Sequence, residues 1–402
     1  MQLKRFISAM FLFSALIALY GCAAILEDSI LIESPHAGTQ YVRPLEERAV
    51  ASNYGELKEA LLDIVMQHEE SGIILIQSYD GEIREDFDHA SYEIKYVNPI
   101  GAYAVSEIVG VTTRIVTNIE LEVSVEYKRT RQQVESIVTI LSLQELSEEL
   151  LNAMSEYSDE LVIRSALRGV NAESVLNLAR ETYYNNPRSI VMMPGTAIDT
   201  FPDVGDDIIF VISFGHIPPA NIQRGNAISL AGFVQLNAEA AIGENDAERL
   251  LSLAENLIGT CVFDEGAART IYEHGMQNHV ATAFGALVTG NAVGEGFAMA
   301  FKALCDELGI YCRVVLGYLD GMIHAWNIVS LDGDYYHIDV SMGALNGLET
   351  AFLKTDMDFI ELYSWDFETT VSCQGELTYE DVVIAREMQS GGDPEEDVSQ
   401  ES

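Results

Sequence analysis

AVGEGFAMAF, residues 292–301, decides how the rest of this chain is read. Gly294, Glu295 and Gly296 lead into an apolar run from Phe297 to Phe301, which reads as the start of a buried helix. Downstream stand His324-Ala325-Trp326-Asn327 and then VSLDGDYY, residues 329–336, a hairpin signal. Asp332-Gly333 suits the positive φ of a two-residue turn. A turn centred there sets Trp326 opposite Asp339 and His324 opposite Ser341. His324 and Asp339 are then diagonal neighbours on one face of the hairpin, within reach of each other. An imidazole oriented by a carboxylate is the base half of a thiol triad. The same strand also carries His337. His324, His337 and Asp339 project from one face and offer a zinc-type donor set as an alternative. The triad reading already uses two of the three, so no metal or other cofactor is expected.

Residues 282–343, from Thr282 through GNAVGEGFAMAF and HAWN to Gly343, resemble the core of the transglutaminase-like superfamily, whose fold is related to papain-like thiol proteases. Glu295-Gly296-Phe297-Ala298 match the helix start of that family. Leu304-Cys305 and Leu308-Gly309-Ile310 match the helix end and exit. His324-Ala325-Trp326-Asn327 match the histidine strand, and Tyr336 with Asp339 match the acid strand. The resemblance implies a nucleophilic Cys at the helix N-terminus, where backbone N–H groups and the helix dipole lower a thiol's pKa and stabilise an oxyanion. This chain has Gly294 there. The implied triad is degenerate: Gly294, His324 and Asp339. Glu295, Gly296, Phe297, Trp326 and Tyr335 are the expected binding residues.

Of the five cysteines, Cys305 lies 11 residues along the same helix, Cys312 opens the next strand, and Cys261 and Cys373 fall outside the motif. About 16 Å of helix separates Cys305 from position 294, at the end where the dipole opposes a thiolate. An active cysteine hydrolase or acyl transferase using Cys261 or Cys305 is the competing reading. Sequence leaves the pairing of Cys261, Cys305, Cys312 and Cys373 open.

The N-terminus has the layout of a secretory signal. Lys4 and Arg5 precede an uncharged apolar stretch from Phe6 to Tyr20, and LYGC, residues 19–22, resembles a bacterial lipobox. The resemblance implies lipidation of Cys22 and an extracytoplasmic, lipid-anchored protein; an uncleaved anchor is the alternative. The 402 residues hold 22 Lys and Arg against 63 Asp and Glu, a net charge of −41. That charge excludes nucleic acid as a partner, because phosphates are repelled. No calcium-loop motif accompanies the acidity.

Four segment pairs repeat in order at offsets of 87–89: GELKEALLDI (55–64) with QELSEELLNA (144–153), IILIQS (73–78) with ELVIRS (160–165), YVNP (96–99) with YNNP (184–187), and EVSVEY (122–127) with FVISFG (210–215). Each copy reads helix, strand, helix, strand, strand. The expected organisation is an α+β chain: signal peptide 1–21, tether 22–50, αβαββ repeats at 51–140 and 141–225, a transglutaminase-like (papain-like) core at 226–375 opening on a connecting segment at 226–245, and an acidic tail at 376–402. The expected function is a membrane-anchored, non-catalytic binder of a peptide, protein or cell-wall component. A purely structural role makes the same sequence-level predictions.

Overall fold

The computed structural model describes residues 29–34, 49–115, 118–274 and 278–390. The signal-like segment, Cys22 and the acidic stretch from 391 onward lie outside these residues. The chain forms two compact units. One holds the described residues up to 141 together with 162–170 and 198–211, and the other holds 142–161, 171–197 and the residues from 212 onward. The segment 141–225, expected as a second repeat, is therefore divided between the two.

The N-terminal segment begins with β1 (Ser29–Ser34), which runs parallel to β4. The strand lies within 22–50, the stretch expected as a tether. The strand's six residues carry too short an alternation to stand out, and their pairing is supplied from over seventy residues away. Then follow β2 (Ala49–Ala51), a helix at Tyr54–Met66, β3 (Ser71–Ile76), a helix at Ile83–Tyr96, β4 (Val105–Ile115) and β5 (Asn118–Tyr127). The Asn53 side chain caps the first helix by accepting from the Glu56 N–H, and Leu57, Leu61, Ile64 and Val65 form its buried stripe. Along β5, Leu121, Val123 and Val125 are buried while Glu122, Ser124 and Glu126 face water, as a one-sided sheet requires.

The next segment has β6 (Val138–Ile140), a helix at Leu143–Ser155, β7 (Glu160–Ser165), a helix at Ala172–Asn185, β8 (Gly195–Phe201) and β9 (Ile208–Gly215). The first helix, strand and second helix begin at 54, 71 and 83 in the earlier segment and at 143, 160 and 172 in this one, with equal lengths. The sheet orders are β1-β4-β5-β3-β2 and β6-β7-β9-β8. Apart from β1, the second is the first read backwards, position for position.

The rest is helix-rich until a four-stranded antiparallel sheet. Residues 226–245, expected as a connecting segment, lie mostly in a helix at Ala220–Glu239. Its buried stripe is Gln223, Leu230, Val234 and Ala238, while Ile228, Phe233 and Leu236 are exposed, so large apolar residues stand on both faces and blur the periodicity. A helix at Asp246–Thr260, β10 (Val262–Phe263), a helix at Glu265–His274 and β11 (Asn291–Ala292) lead to the central helix, Gly294–Leu308. Phe297, Phe301, Leu304 and Cys305 are all buried on it, and it ends at Gly309 with φ +73°. The sheet follows as β12 (Cys312–Leu319), β13 (Met322–Leu331), β14 (Asp334–Ile338) and β15 (Tyr363–Trp365), in the order β14-β13-β12-β15. The segment expected as an acidic tail begins with a helix at Tyr379–Ser390, tied by Arg386 to Glu255. No helix among the described residues is long and apolar enough to cross a membrane.

Candidate functional site

Gly294 is the first residue of the central helix, and His324 lies on β13 against it. The Asp332-Gly333 turn has φ values of +53° and +96°, and β13 pairs with β14 from Asn327 opposite Ile338 to Leu331 opposite Asp334. That is the register the turn dictates. Pairing stops at Ile338, so Trp326 and His324 have no ladder partners at 339 and 341. Asp339 instead caps a helix at Val340–Asn346, accepting from the Met342 N–H at 3.0 Å.

This capping turn swings the carboxylate onto the imidazole. His324 Nε2 lies 2.6 Å from Asp339 Oδ2. Tyr363 donates to the same oxygen at 2.9 Å, and Ser341 donates to Oδ1 at 2.7 Å. Asp339 is almost wholly buried. Burial pushes its carboxyl up, but the His324 imidazole and the hydrogen bonds from His324, Ser341 and Met342 together hold it below the usual carboxylate range. The ion is thus fully satisfied, and it fixes the ring so that the other nitrogen, Nδ1, faces Gly294.

The space at Gly294 is filled. A Cβ placed there would lie 2.5 Å from His324 Cε1 and 2.7 Å from Nδ1. The ring occupies the position from which a side chain at 294 would have to extend.

His324, Gly294 and Glu295 line a cleft of about 950 Å³ together with Ser341, Tyr184 and an apolar wall that includes Leu316, Tyr318, Met322 and Ile323. The volume suits a ligand larger than a single amino acid. Glu295 accepts from the Tyr184 hydroxyl at 2.8 Å. Burial pushes its carboxyl up to about 7, with the Tyr184 hydrogen bond pulling the other way.

Four of the expected binding residues are elsewhere. Trp326 is fully buried in the sheet core with Val315, Phe359 and Trp365. Tyr335 packs against that cluster and stands edge-on to Tyr311. Phe297 is buried and stacks on Phe263. Gly296 packs against the Val280 carbonyl, leaving no room for a side chain. All four hold the fold, and of the five only Glu295 reaches the cleft. The cleft's actual apolar wall escaped the sequence reading because exposed Leu, Met and Ile carry no motif. Tyr363, 24 residues beyond Asp339, also gave no local sign of its role.

Nor do His324, His337 and Asp339 gather into a metal site. Trp326 Nε1 donates to His337 Nδ1 at 3.0 Å, and His337 Nε2 meets Asp356 Oδ1 at 2.9 Å. Among the described residues, His337, Asp356 and Cys373 do come within 4.8 Å of one another. An indole N–H only donates, so Nδ1 must accept and the proton sits on Nε2. That nitrogen has no lone pair for a metal, and burial holds His337 below its ordinary range, favouring the neutral ring.

The four cysteines among the described residues, Cys261, Cys305, Cys312 and Cys373, are all free and buried. Burial pushes the Cys261 and Cys373 thiols up to about 12, the latter with help from Asp356. Burial also raises Cys305, whose thiol contacts Cys312. These three thiols are shifted away from the depressed range of an activated nucleophile.

Residues 235–340 match the family model of the transglutaminase-like superfamily. Over that stretch, about a quarter of the chain, the sequence is similar to that superfamily. Solved structures similar to this chain include a TGase, at 13% identity and a TM-score of 0.28, covering 57% of this chain and 64% of that one. Another is a proposed cysteine protease from Cytophaga hutchinsonii, at 16% identity and a TM-score of 0.24, covering 46% and 78%. This chain thus spans under two thirds of that TGase's length. No curated protein matches the sequence.

Proposed function

We propose that this protein is a non-catalytic member of the transglutaminase-like superfamily that binds a peptide, protein or cell-wall component in the Gly294–His324 cleft. In this reading it is held at the extracytoplasmic face of a membrane by lipid on Cys22. One observation carries the loss of catalysis: position 294 has no side chain, and the His324 ring fills the space a nucleophile would need. Without a thiol, no acyl intermediate forms. The N–H groups of the helix N-terminus still offer donors to a carbonyl or carboxylate, and His324 Nδ1, with Nε2–H directed at Asp339, offers an acceptor, so the cleft can grip what it cannot cleave.

The test is exposure of the full chain to thiol-directed acyl probes. The expected result is no adduct at any cysteine of the folded protein. A stable adduct with turnover, abolished by Cys261→Ala or Cys305→Ala, would overturn the reading in favour of an active cysteine enzyme. Anchoring is tested separately. Metabolic labelling with a fatty acid should mark the wild type and not Cys22→Ala; equal labelling of both would refute the lipid site.

A further inference from the structure

We infer that the cleft is built for a peptide with apolar side chains and a free C-terminal carboxylate, the carboxylate being taken by Arg180 and Arg269. The inference rests on the binding reading above and adds the chemistry of the occupant.

The argument starts from charge. With 63 acidic residues against 22 basic ones, carboxylates outnumber cations nearly three to one, and several arginines are held by them. Arg164 holds Asp207, Arg188 holds Glu307, Arg249 holds Asp246 and Arg386 holds Glu255. Arg180 and Arg269 come from different helices, yet both line the cleft. Both are exposed, and among the described residues neither forms an ion pair. Arg180 has only a long contact, 3.4 Å, to the Asn177 side chain.

Local partners were available. Glu265 sits four residues before Arg269 on the same helix, the favoured order for an ion pair, and lines the same cleft without engaging it. Glu295 is engaged by Tyr184 instead. Two guanidinium groups left open on one cavity of a strongly acidic protein are complementary to an anion from outside.

The remaining wall defines the body of the ligand. Leu316 is 49% exposed, Tyr318 50%, Met322 52% and Ile323 69%, all on the β12–β13 hairpin and all lining the cleft. Such a cluster of large apolar side chains on one wall is worth covering with apolar groups. Ser341, His324 and the helix N-terminus add polar positions for backbone amides. Apolar side chains, amides and one terminal carboxylate together describe a peptide C-terminus.

The experiment is affinity selection by the full chain from an equimolar mixture of tripeptides of Ala, Val, Leu and Phe. The mixture is offered once with free C-termini and once amidated, with mass-spectrometric readout. The expected result is at least tenfold enrichment of free acids over amides, favouring Leu and Phe. Arg180→Gln and Arg269→Gln are surface changes that leave the fold intact; each should lower the acid-to-amide ratio, and the double variant should abolish it. If acids and amides are retained equally by the wild type, and Ile323→Glu removes both, the carboxylate assignment is overturned while cleft binding stands. If neither set is retained, both this inference and the binding reading fall.

Discussion

Position 294 has hydrogen where any other residue would place a Cβ, and the His324 ring packs against it. Because His324 already lies 2.5 Å from where a Cβ would be, Gly294→Ala should displace the ring from Asp339 and destabilise the fold by about 1–3 kcal/mol, the usual cost of overpacking. The melting temperature and the His324 ring resonances would report both effects; an unshifted ring would contradict the packing described. Next to it, Glu295 has a carboxyl pushed up to about 7, from an ordinary value of 4.5, chiefly by burial. A folded-state pKa above the unfolded one means that the native state binds the proton more tightly. The Glu295 contribution is therefore fully present below about pH 4.5, and stability falls as pH rises from there to about 7. Urea unfolding of wild type and Glu295→Gln across that window should show the fall in the former and a flatter curve in the latter. Parallel curves would refute the shift.

At the scale of the elements, the site depends on where β14 stops. Had the hairpin continued past Ile338, Asp339 would sit in the ladder; by capping the next helix it meets the imidazole and gains a second anchor in Tyr363. Tyr363→Phe removes one of two donors to Asp339 Oδ2 and should cost about 1–3 kcal/mol, the range for a hydrogen bond to a buried charge. Chemical denaturation measures it, and a change below a few tenths of a kcal/mol would show the contact to be dispensable. Gly296 seats the central helix against the turn at Val280, where a methyl group would strike a backbone carbonyl. Backbone cannot yield as a flexible side chain does, so Gly296→Ala should leave little folded protein, judged by circular dichroism and solubility. Normal folding of that variant would mean that the helix can slide away from the turn.

For the whole molecule, the apparent repeat and the core answered differently to sequence reading. The helix, strand and helix at 54–96 and those at 143–185 start 89 residues apart and have equal lengths, so these elements were legible one by one from their local patterns. The division of 141–225 between the two compact units was not, because a strand's partners and a helix's packing face are set by residues far away in the chain. Thiol chemistry belongs to this scale too. All four described cysteines are buried, so the intact protein should resist alkylation by a charged maleimide until it is unfolded, read by intact mass. Rapid labelling of one thiol under native conditions would reveal an accessible site and reopen the enzyme reading.

What the sequence determined alone were the features governed by neighbours along the chain. The Asp-Gly turn sets a hairpin register, the apolar run after Gly294 makes a buried helix, and position 294 carries no side chain wherever the chain folds. The tertiary structure alone decided which aromatic residues are core and which surfaces are open. Trp326 and Tyr335 went into the sheet's packing, while Leu316, Met322, Ile323 and two arginines from different helices came to line the cleft. The reason is physical: burial and contact depend on what arrives from distant parts of the chain, and no local pattern of residues encodes that arrival.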